Sequence, residues 1–310
     1  MTALETLKTF DENSLPDLDT VVLGALEFLA EAELPKLDFS QYKKPLVVGS
    51  GNAAVVGRML FANRPAVFAD ESIYRHILKQ NPSIDVVVVV SASGSKHAVG
   101  IVTHAHSAGL PVHLITNTPG APAAEKLPPE SVHVFPKVRE PYTYNTSTYL
   151  SMLLARGGRK PADINLFIRE EIDPVLSYFL KGYDAFFLLV PGEFEDVRAM
   201  LRTKFDELFG SKVSGRAFTF EEAKHAKTVV PSDTECFISF GQENTAFGKR
   251  EQRLHVPLPP DADPATVIAI GYYVIGHIQK QNEPYFKENI GRYVKEASEL
   301  FGSAITQIVE

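Results

Sequence analysis

The chain has 310 residues, a hydrophobic content of 45% and a formal net charge of −7. The length and apolar content predict a large core divided between two domains. The acidic balance, in which no run of basic residues exceeds two, argues against a nucleic-acid groove or an anionic membrane surface as partner.

The cysteine content and the first residues bear on disulfides, metal sites and export of the protein. Cys236 is the only cysteine, which excludes an internal disulfide and metal sites built on several thiolates. The polar, acidic start of the sequence predicts no signal peptide, and no apolar run reaches the roughly 20 residues of a membrane helix. We therefore expect a soluble, cytoplasmic protein.

The first half of the sequence predicts helices followed by a doubly wound α/β domain. Residues 1–36 predict one or two amphipathic helices whose buried stripe consists of Val22, Leu23, Leu26, Leu29 and Ala30. Short apolar runs predict strands at residues 46–48, 66–69, 86–90, 112–115 and 132–135. Helical patterns separate the first four of these strands, and a turn rich in proline and alanine at residues 119–124 precedes the fifth. A further helix is predicted at residues 145–155. Strands alternating with helices indicate a parallel sheet with helices on both faces.

A second α/β unit is predicted after the break at residues 156–161 (RGGRKP). A linker helix is expected at residues 163–180, followed by strands at residues 185–190, 213–218, 236–240 and 254–256. Helices are expected at residues 193–209, 221–225, 264–279 and 284–301. Both units begin with a strand, a glycine (Gly49 or Gly192) and a helix, which indicates a weak internal duplication. We predict domains at residues 1–158 and 159–310.

The stretch at residues 84–99 (IDVVVVVSASGSKHAV) carries the clearest functional signal. Five successive valines predict a central strand, and Ser91, Ser93, Gly94 and Ser95 follow at the start of a helix. Unpaired backbone N–H groups, the helix dipole and hydroxyl groups together favour binding of an anion. The alternative is an ordinary loop in which a serine only caps the helix.

A second pattern lies at the end of the first strand. Gly49-x-Gly51-x-x-Ala54 fits the dinucleotide-binding fingerprint, and Asp70 lies 21 residues beyond Gly49, where a carboxylate would hold a ribose hydroxyl. This pattern is weak by itself, because any tight strand-to-helix turn favours glycine. A nicotinamide-dependent enzyme is therefore kept only as an alternative.

Taken together, the motifs resemble the sugar isomerase (SIS) domain family. Residues 49–60 (GSGNAAVVGRML), 91–96 (SASGSK) and 140–149 (EPYTYNTSTY) resemble its three phosphosugar-binding segments. Residues 204–207 (KFDE), 222–225 (EAKH) and 289–294 (NIGRYV) are similar, in the same order, to segments of the isomerase half of glucosamine-6-phosphate synthase. Two such domains in one chain is also the layout of bifunctional phosphoglucose/phosphomannose isomerases and of fructoselysine-6-phosphate deglycases.

The resemblance implies a role for each matched residue. Phosphate and substrate binding would fall to Ser50, Gly51, Asn52, Ser91, Ser93, Ser95, Lys96, Glu140, Asn145 and Thr146. Glu207 would move a proton between C1 and C2 of the sugar, and His225 would assist ring opening. Aldose–ketose conversion needs both kinds of proton transfer, and Glu and His suit them.

Several positions depart from the family pattern. Ala53 replaces a usual serine, Ala98 replaces a frequent glutamate, and Lys96 replaces the threonine of the serine-rich segment, where its charge would bind phosphate instead. Arg292 stands at the position of the synthase's catalytic lysine. Because a guanidinium stays protonated, Arg292 would hold an anionic group rather than abstract a proton.

The motifs and the resemblance predict a sugar-phosphate enzyme with its site in the cleft between the two domains, and the resemblance alone implies a homodimer. The expected reaction is aldose–ketose isomerisation, or deglycation of a ketoamine, on a hexose 6-phosphate derivative. We expect no cofactor. We also expect no metal, since His104 and His106 point about 200° apart on a helix and lack an accompanying carboxylate. The alternatives are a non-catalytic sugar-phosphate sensor and an NAD(P)-dependent enzyme using Gly49, Gly51 and Asp70.

Overall fold

A computed structural model describes residues 1–176 and 180–310. The chain forms two compact units. One contains residues 32–137 and 148–157, and the other contains residues 1–31, 138–147 and 158–310. This grouping differs from the predicted division at residue 158 because the N-terminal helices pack with the second half of the chain. The predicted division into domains stays a prediction.

The elements of the first half follow the predicted order. They are α1 (Ala3–Thr9), α2 (Leu18–Glu31), β1 (Pro45–Gly49), α3 (Asn52–Phe61), β2 (Val67–Ala69), α4 (Tyr74–Gln80), β3 (Val86–Val90), α5 (His97–Ser107), β4 (Val112–Thr116), β5 (Val132–Val134), β6 (Glu140–Pro141) and α6 (Thr146–Leu154). All the strands predicted for this half are present, with ends that shift by about one residue.

The second half alternates in the same way. Its elements are α7 (Pro161–Phe167), α8 (Asp173–Leu176), β7 (Ala185–Val190), α9 (Val197–Phe209), β8 (Ser214–Thr219), α10 (Phe220–Ala223), β9 (Glu235–Phe240), β10 (Arg253–Val256), α11 (Pro264–Gln281), α12 (Tyr285–Phe301) and β11 (Ile308–Val309). A π-helical turn, Ile168–Ile172, interrupts the predicted linker helix, whose residues 177–179 lie outside the described residues.

The first sheet has five parallel strands in the order β2-β1-β3-β4-β5. All five valines of β3 are buried, as expected for a central strand covered by helices on both faces. The chain winds to one side from β1 and to the other side from β3, so the sheet changes direction between these two neighbours. Ligands of doubly wound sheets bind at the carboxyl ends of the strands at this switch point.

The second sheet is also parallel, with the order β10-β9-β7-β8. Residues 186–190 of β7 are fully buried phenylalanine, leucine and valine. Its winding direction changes between β7 and β9, so each sheet has a switch point of its own. The doubly wound α/β class predicted from the alternating pattern is confirmed for both sheets.

Helix α11 forms the core of the second unit together with α2. Fourteen of its residues are buried, and a Cβ at Gly276 would lie 2.1 Å from the Asp19 nitrogen, so the two helices touch backbone to backbone. The predicted stripe of α2 is confirmed at Val22, Leu26 and Leu29. Leu23 is half-buried and Ala30 is exposed, so the stripe is narrower than predicted. Both residues lie roughly 80–100° around the helix from Val22, at the edge of its buried face.

Two very short strands form an antiparallel pair that the sequence did not predict. Ile308 pairs with Pro141 and Val309 with Glu140, and Tyr142 N donates to Gln307 O at 2.8 Å. This pair anchors the segment that leads into α6. None of the helices in the described part of the chain is both long and apolar enough to cross a membrane.

Candidate functional site

The turn between β3 and α5 is shaped by one glycine and three serines. Gly94 adopts a φ of +58°, and a Cβ there would lie 2.5 Å from the Ala121 Cβ, so only glycine fits. The Ser91 hydroxyl accepts from Gly94 N at 3.2 Å, and the Ser93 and Ser95 hydroxyls lie 2.7 Å apart. No side chain caps the first turn of α5, so the turn presents hydroxyls at an open helix N-terminus.

The turn between β1 and α3 lies at the same edge of the sheet. Gly49 is paired with Val90, so both strands end side by side. A Cβ at Gly49 would lie 2.7 Å from the backbone of Ala53, which explains the close approach of strand and helix. Gly51, with a φ of +53°, precedes α3, and no side chain caps this helix either.

The two turns line one pocket of about 150 Å³, which we call the serine pocket. Its polar side chains come from Ser50, Ser91, Ser93, Ser95, Lys96 and His97. Gly51 and Asn52 belong to the same turn without lining the pocket. Two helix N-termini, four hydroxyls and a lysine at a sheet switch point make a setting for an anion such as phosphate.

The third predicted segment is held together by a buried carboxylate. Glu140 is 2% exposed and accepts from Thr146 N at 2.7 Å and from the Ser147 hydroxyl at 2.8 Å. Thr146 is fully buried. Asn145 is half-buried, adopts a φ of +47° and donates to Thr143 O at 3.2 Å. Glu140 and Thr146 therefore shape this turn, and of the three predicted residues Asn145 is the most accessible.

Glu207 lines a cavity of about 540 Å³ in the other compact unit, which we call the Glu207 cavity. Glu207 lies on α9, one turn after Lys204, and the two side chains form an ion pair at 2.5 Å. Lys204 is fully buried; its ammonium also donates to Thr143 O at 2.7 Å and lies 5.1 Å from the centre of the Tyr272 ring. The lysine thus fixes the position of the carboxylate.

Burial and the neighbouring charge of Lys204 shift the pKa of Glu207 in opposite directions. Burial raises the pKa of its carboxyl above the ordinary value, and the Lys204 ammonium lowers it in part. Its side chain still keeps 22% exposure toward the cavity. A carboxyl with a raised pKa and an open face is suited to accept and return a proton.

Arg292 reaches the same cavity from α12. Its side chain is 73% exposed, lies 3.8 Å from Glu296 and donates to Asn289 at 3.3 Å. The structure therefore brings together two of the three predicted catalytic residues, Glu207 and Arg292. The guanidinium supplies a fixed positive charge rather than a base.

His225 is placed differently. It lies in the exposed turn after α10 and is not among the residues that line the serine pocket or the Glu207 cavity. Its role in ring opening stays a prediction. Tyr272 and Thr143, which hold Lys204, were not predicted as site residues. Only the spacing of Lys204 and Glu207 on one helix face indicated part of this arrangement.

One oxygen of the carboxylate required by the dinucleotide alternative already accepts three hydrogen bonds. Asp70 follows β2, and its Oδ1 accepts from Ser72 N at 2.8 Å, from the Ser72 hydroxyl at 2.5 Å and from Ile73 N at 3.1 Å. The Ser72 hydroxyl and these backbone amides lower the pKa of Asp70. Asp70 therefore caps its own turn, which weakens the argument for a ribose partner.

Solved structures of other proteins share this fold, although no sequence comparison finds a relative. No protein-family model matches the sequence, and no curated protein does. Solved structures do match. Glucosamine-6-phosphate deaminase from Thermotoga maritima superposes with a TM-score of 0.62 at 16% identity, covering 86% of this chain and 95% of that one. The chain has the fold of such proteins.

Two other solved structures have a similar fold. Tagatose-6-phosphate ketose/aldose isomerase from Escherichia coli has a TM-score of 0.58 at 12% identity and covers 91% of this chain and 92% of its own. The C-terminal domain of glucosamine-fructose-6-phosphate aminotransferase from Francisella tularensis has a TM-score of 0.57 at 14% identity, covering 91% and 96%. The resemblance to sugar isomerase proteins is thus supported at the level of the fold, and the double-domain isomerase subtype stays a prediction.

Proposed function

We propose that this chain binds a hexose 6-phosphate derivative and acts as an aldose–ketose isomerase or a related ketoamine deglycase. The serine pocket carries the proposal, since it combines hydroxyls, Lys96 and two uncapped helix N-termini at a sheet switch point. This chemistry fits a dianionic phosphate. The solved structures that share the fold include proteins described as phosphosugar isomerases.

In the proposed isomerisation, Glu207 takes the proton from C2 of the open-chain aldose and returns it to C1. A proton moves from O2 to O1 at the same time, so the reaction balances without an oxidant or a cofactor. Arg292 holds a negatively charged or hydroxyl group of the substrate, and His225 opens the sugar ring. Assembly as a homodimer and a cytoplasmic location belong to the same proposal.

The test compares turnover of hexose 6-phosphates by the wild type and by Glu207→Gln. We expect the variant to lose at least about 100-fold in kcat, because general-base catalysis contributes 10²–10⁴-fold. Glu299→Gln, which removes an exposed carboxylate from α12 outside the cavity lining, should keep full activity. Ser93→Ala should act mainly on KM. Equal turnover in Glu207→Gln and the wild type would remove Glu207 from its proposed role.

A second candidate is a sugar-phosphate sensor without turnover. It is favoured by Arg292, which cannot act as a base, and by the exposed position of His225. Thermal shift with hexose 6-phosphates and NAD(P) separates the candidates. Stabilisation by sugar phosphates without detectable turnover supports the sensor, whereas stabilisation by NAD(P) alone contradicts both sugar-phosphate proposals.

A further inference from the structure

The second sheet has a pocket at its own switch point, apart from the residues assigned above. The pocket, of about 510 Å³, is lined by residues that directly follow all four strands. Pro191 and Gly192 follow β7, Gly241 and Gln242 follow β9, and β8 and β10 contribute from the outer sides. We call it the second-sheet pocket. Its place in the sheet is the one at which doubly wound folds bind small molecules.

Its charges are the opposite of those in the serine pocket. Glu193 and Glu221 are the charged residues of the lining, which contains no lysine, arginine or histidine. The nearby Lys224 ammonium is bound by both oxygens of Glu221 at 2.8 and 2.9 Å. A phosphate would therefore meet the Glu193 carboxylate and no cation among the lining residues, while Lys224 is held by Glu221, so the pocket disfavours phosphorylated molecules.

The remaining lining favours a ring with polar edges. Phe194, Phe220, Leu258 and Pro259 supply apolar lining, and Gln242 supplies an amide that can donate and accept hydrogen bonds. Apolar side chains pack against the C–H faces of a sugar, while carboxylates accept bonds from hydroxyl and ammonium groups.

We propose that the second-sheet pocket binds a small, unphosphorylated amino sugar. The proposal is independent of the function assigned to the serine pocket, because it uses other residues and the opposite charge. It gives the protein a second ligand of different chemistry, and binding of that ligand does not require a sugar phosphate.

The test uses the full-length protein and ligand-observed NMR with glucosamine, glucose and glucose 6-phosphate. We expect glucosamine to bind more tightly than glucose, because only glucosamine carries an ammonium group that can form an ion pair with Glu193. Glucose 6-phosphate should not displace glucosamine. Glu193→Gln should weaken glucosamine binding at least tenfold, and circular dichroism checks that this exposed substitution leaves the fold intact.

Two control variants separate this site from the other residues. Glu195→Gln removes a carboxylate two positions away that does not line the pocket, and it should leave glucosamine binding unchanged. Lys96→Ala changes the serine pocket and should also leave it unchanged. The proposal is overturned if glucosamine fails to bind, if Glu193→Gln binds it as well as the wild type, or if glucose 6-phosphate competes for the same site.

Discussion

Replacement of Lys204 by methionine tests how the buried ion pair holds Glu207. The substitution keeps a long apolar side chain but removes the ammonium that contacts Glu207, Thr143 O and the Tyr272 ring. Removing one partner of a buried pair costs about 3–5 kcal/mol. Because Glu207 keeps 22% exposure and some solvation, we expect the low end, about 3 kcal/mol, at pH 8.

The cost of Lys204→Met should depend on pH. Burial places the pKa of Glu207 above its unfolded value, so the folded protein binds this proton more tightly than the unfolded chain does. That contribution to stability is present at low pH and is lost as the pH rises through the folded pKa. The variant lacks the ammonium that lowers this pKa, so its Glu207 stays protonated, and keeps this contribution to stability, up to a higher pH. The variant's penalty should therefore shrink between pH 8 and pH 5.

Urea unfolding followed by circular dichroism measures these free energies, since the chain contains no tryptophan. The double variant Lys204→Met/Glu207→Leu removes both charges and should recover part of the loss. Lys249→Met breaks an exposed pair with Asp233 and should change stability little. A cost below about 1 kcal/mol at pH 8 for Lys204→Met, or a cost that does not change with pH, would refute the reasoning.

Three further predictions concern stability. His113 Nδ1 and His133 Nε2 lie 3.3 Å apart, and burial lowers both pKa values, to about 4 for His133, so stability should fall as the pH drops from about 6.5 toward 4. Thermal unfolding across this range measures the loss, and a flat profile would contradict it. Gly94→Ala should destabilise by about 2 kcal/mol through strain and collision, whereas Gly100→Ala, at an open helical position, should stabilise slightly in the same urea titration. Asp263→Ala removes the N-cap of α11 and should cost about 1 kcal/mol by urea unfolding; an unchanged midpoint would show that the cap contributes nothing.

Strands β3 and β7 were predictable because each is a short run of apolar residues. The valines of β3 and the residues of β7 have no polar face, which is typical of strands covered by helices on both sides. The serine-rich turn was predictable for a similar reason, since the parallel order places the ends of β1 and β3 next to each other. For these features, local composition and the rules of sheet topology are sufficient.

Other features depend on contacts between residues distant in sequence. The β6–β11 pair contains two residues per strand, too few to show alternation, and joins positions about 170 residues apart. The burial of Lys204 depends on Tyr272, which no local pattern relates to it. Glu140 carries a carboxylate of the kind that binds ligands, but here that carboxylate accepts a hydrogen bond from Thr146 N at the start of α6. Such assignments require tertiary packing.

The contact between α2 and α11 constrains how the chain acquires its structure during synthesis. Leu18 N donates to the Gln279 side chain across 261 positions. A ribosome adding 5–20 residues per second needs roughly 10–50 s to make the intervening segment. Helices α1 and α7, which also pack on α2, are made earlier, but the face of α2 that contacts α11 lacks its partner throughout that interval. This apolar surface is therefore accessible to chaperones before α11 emerges.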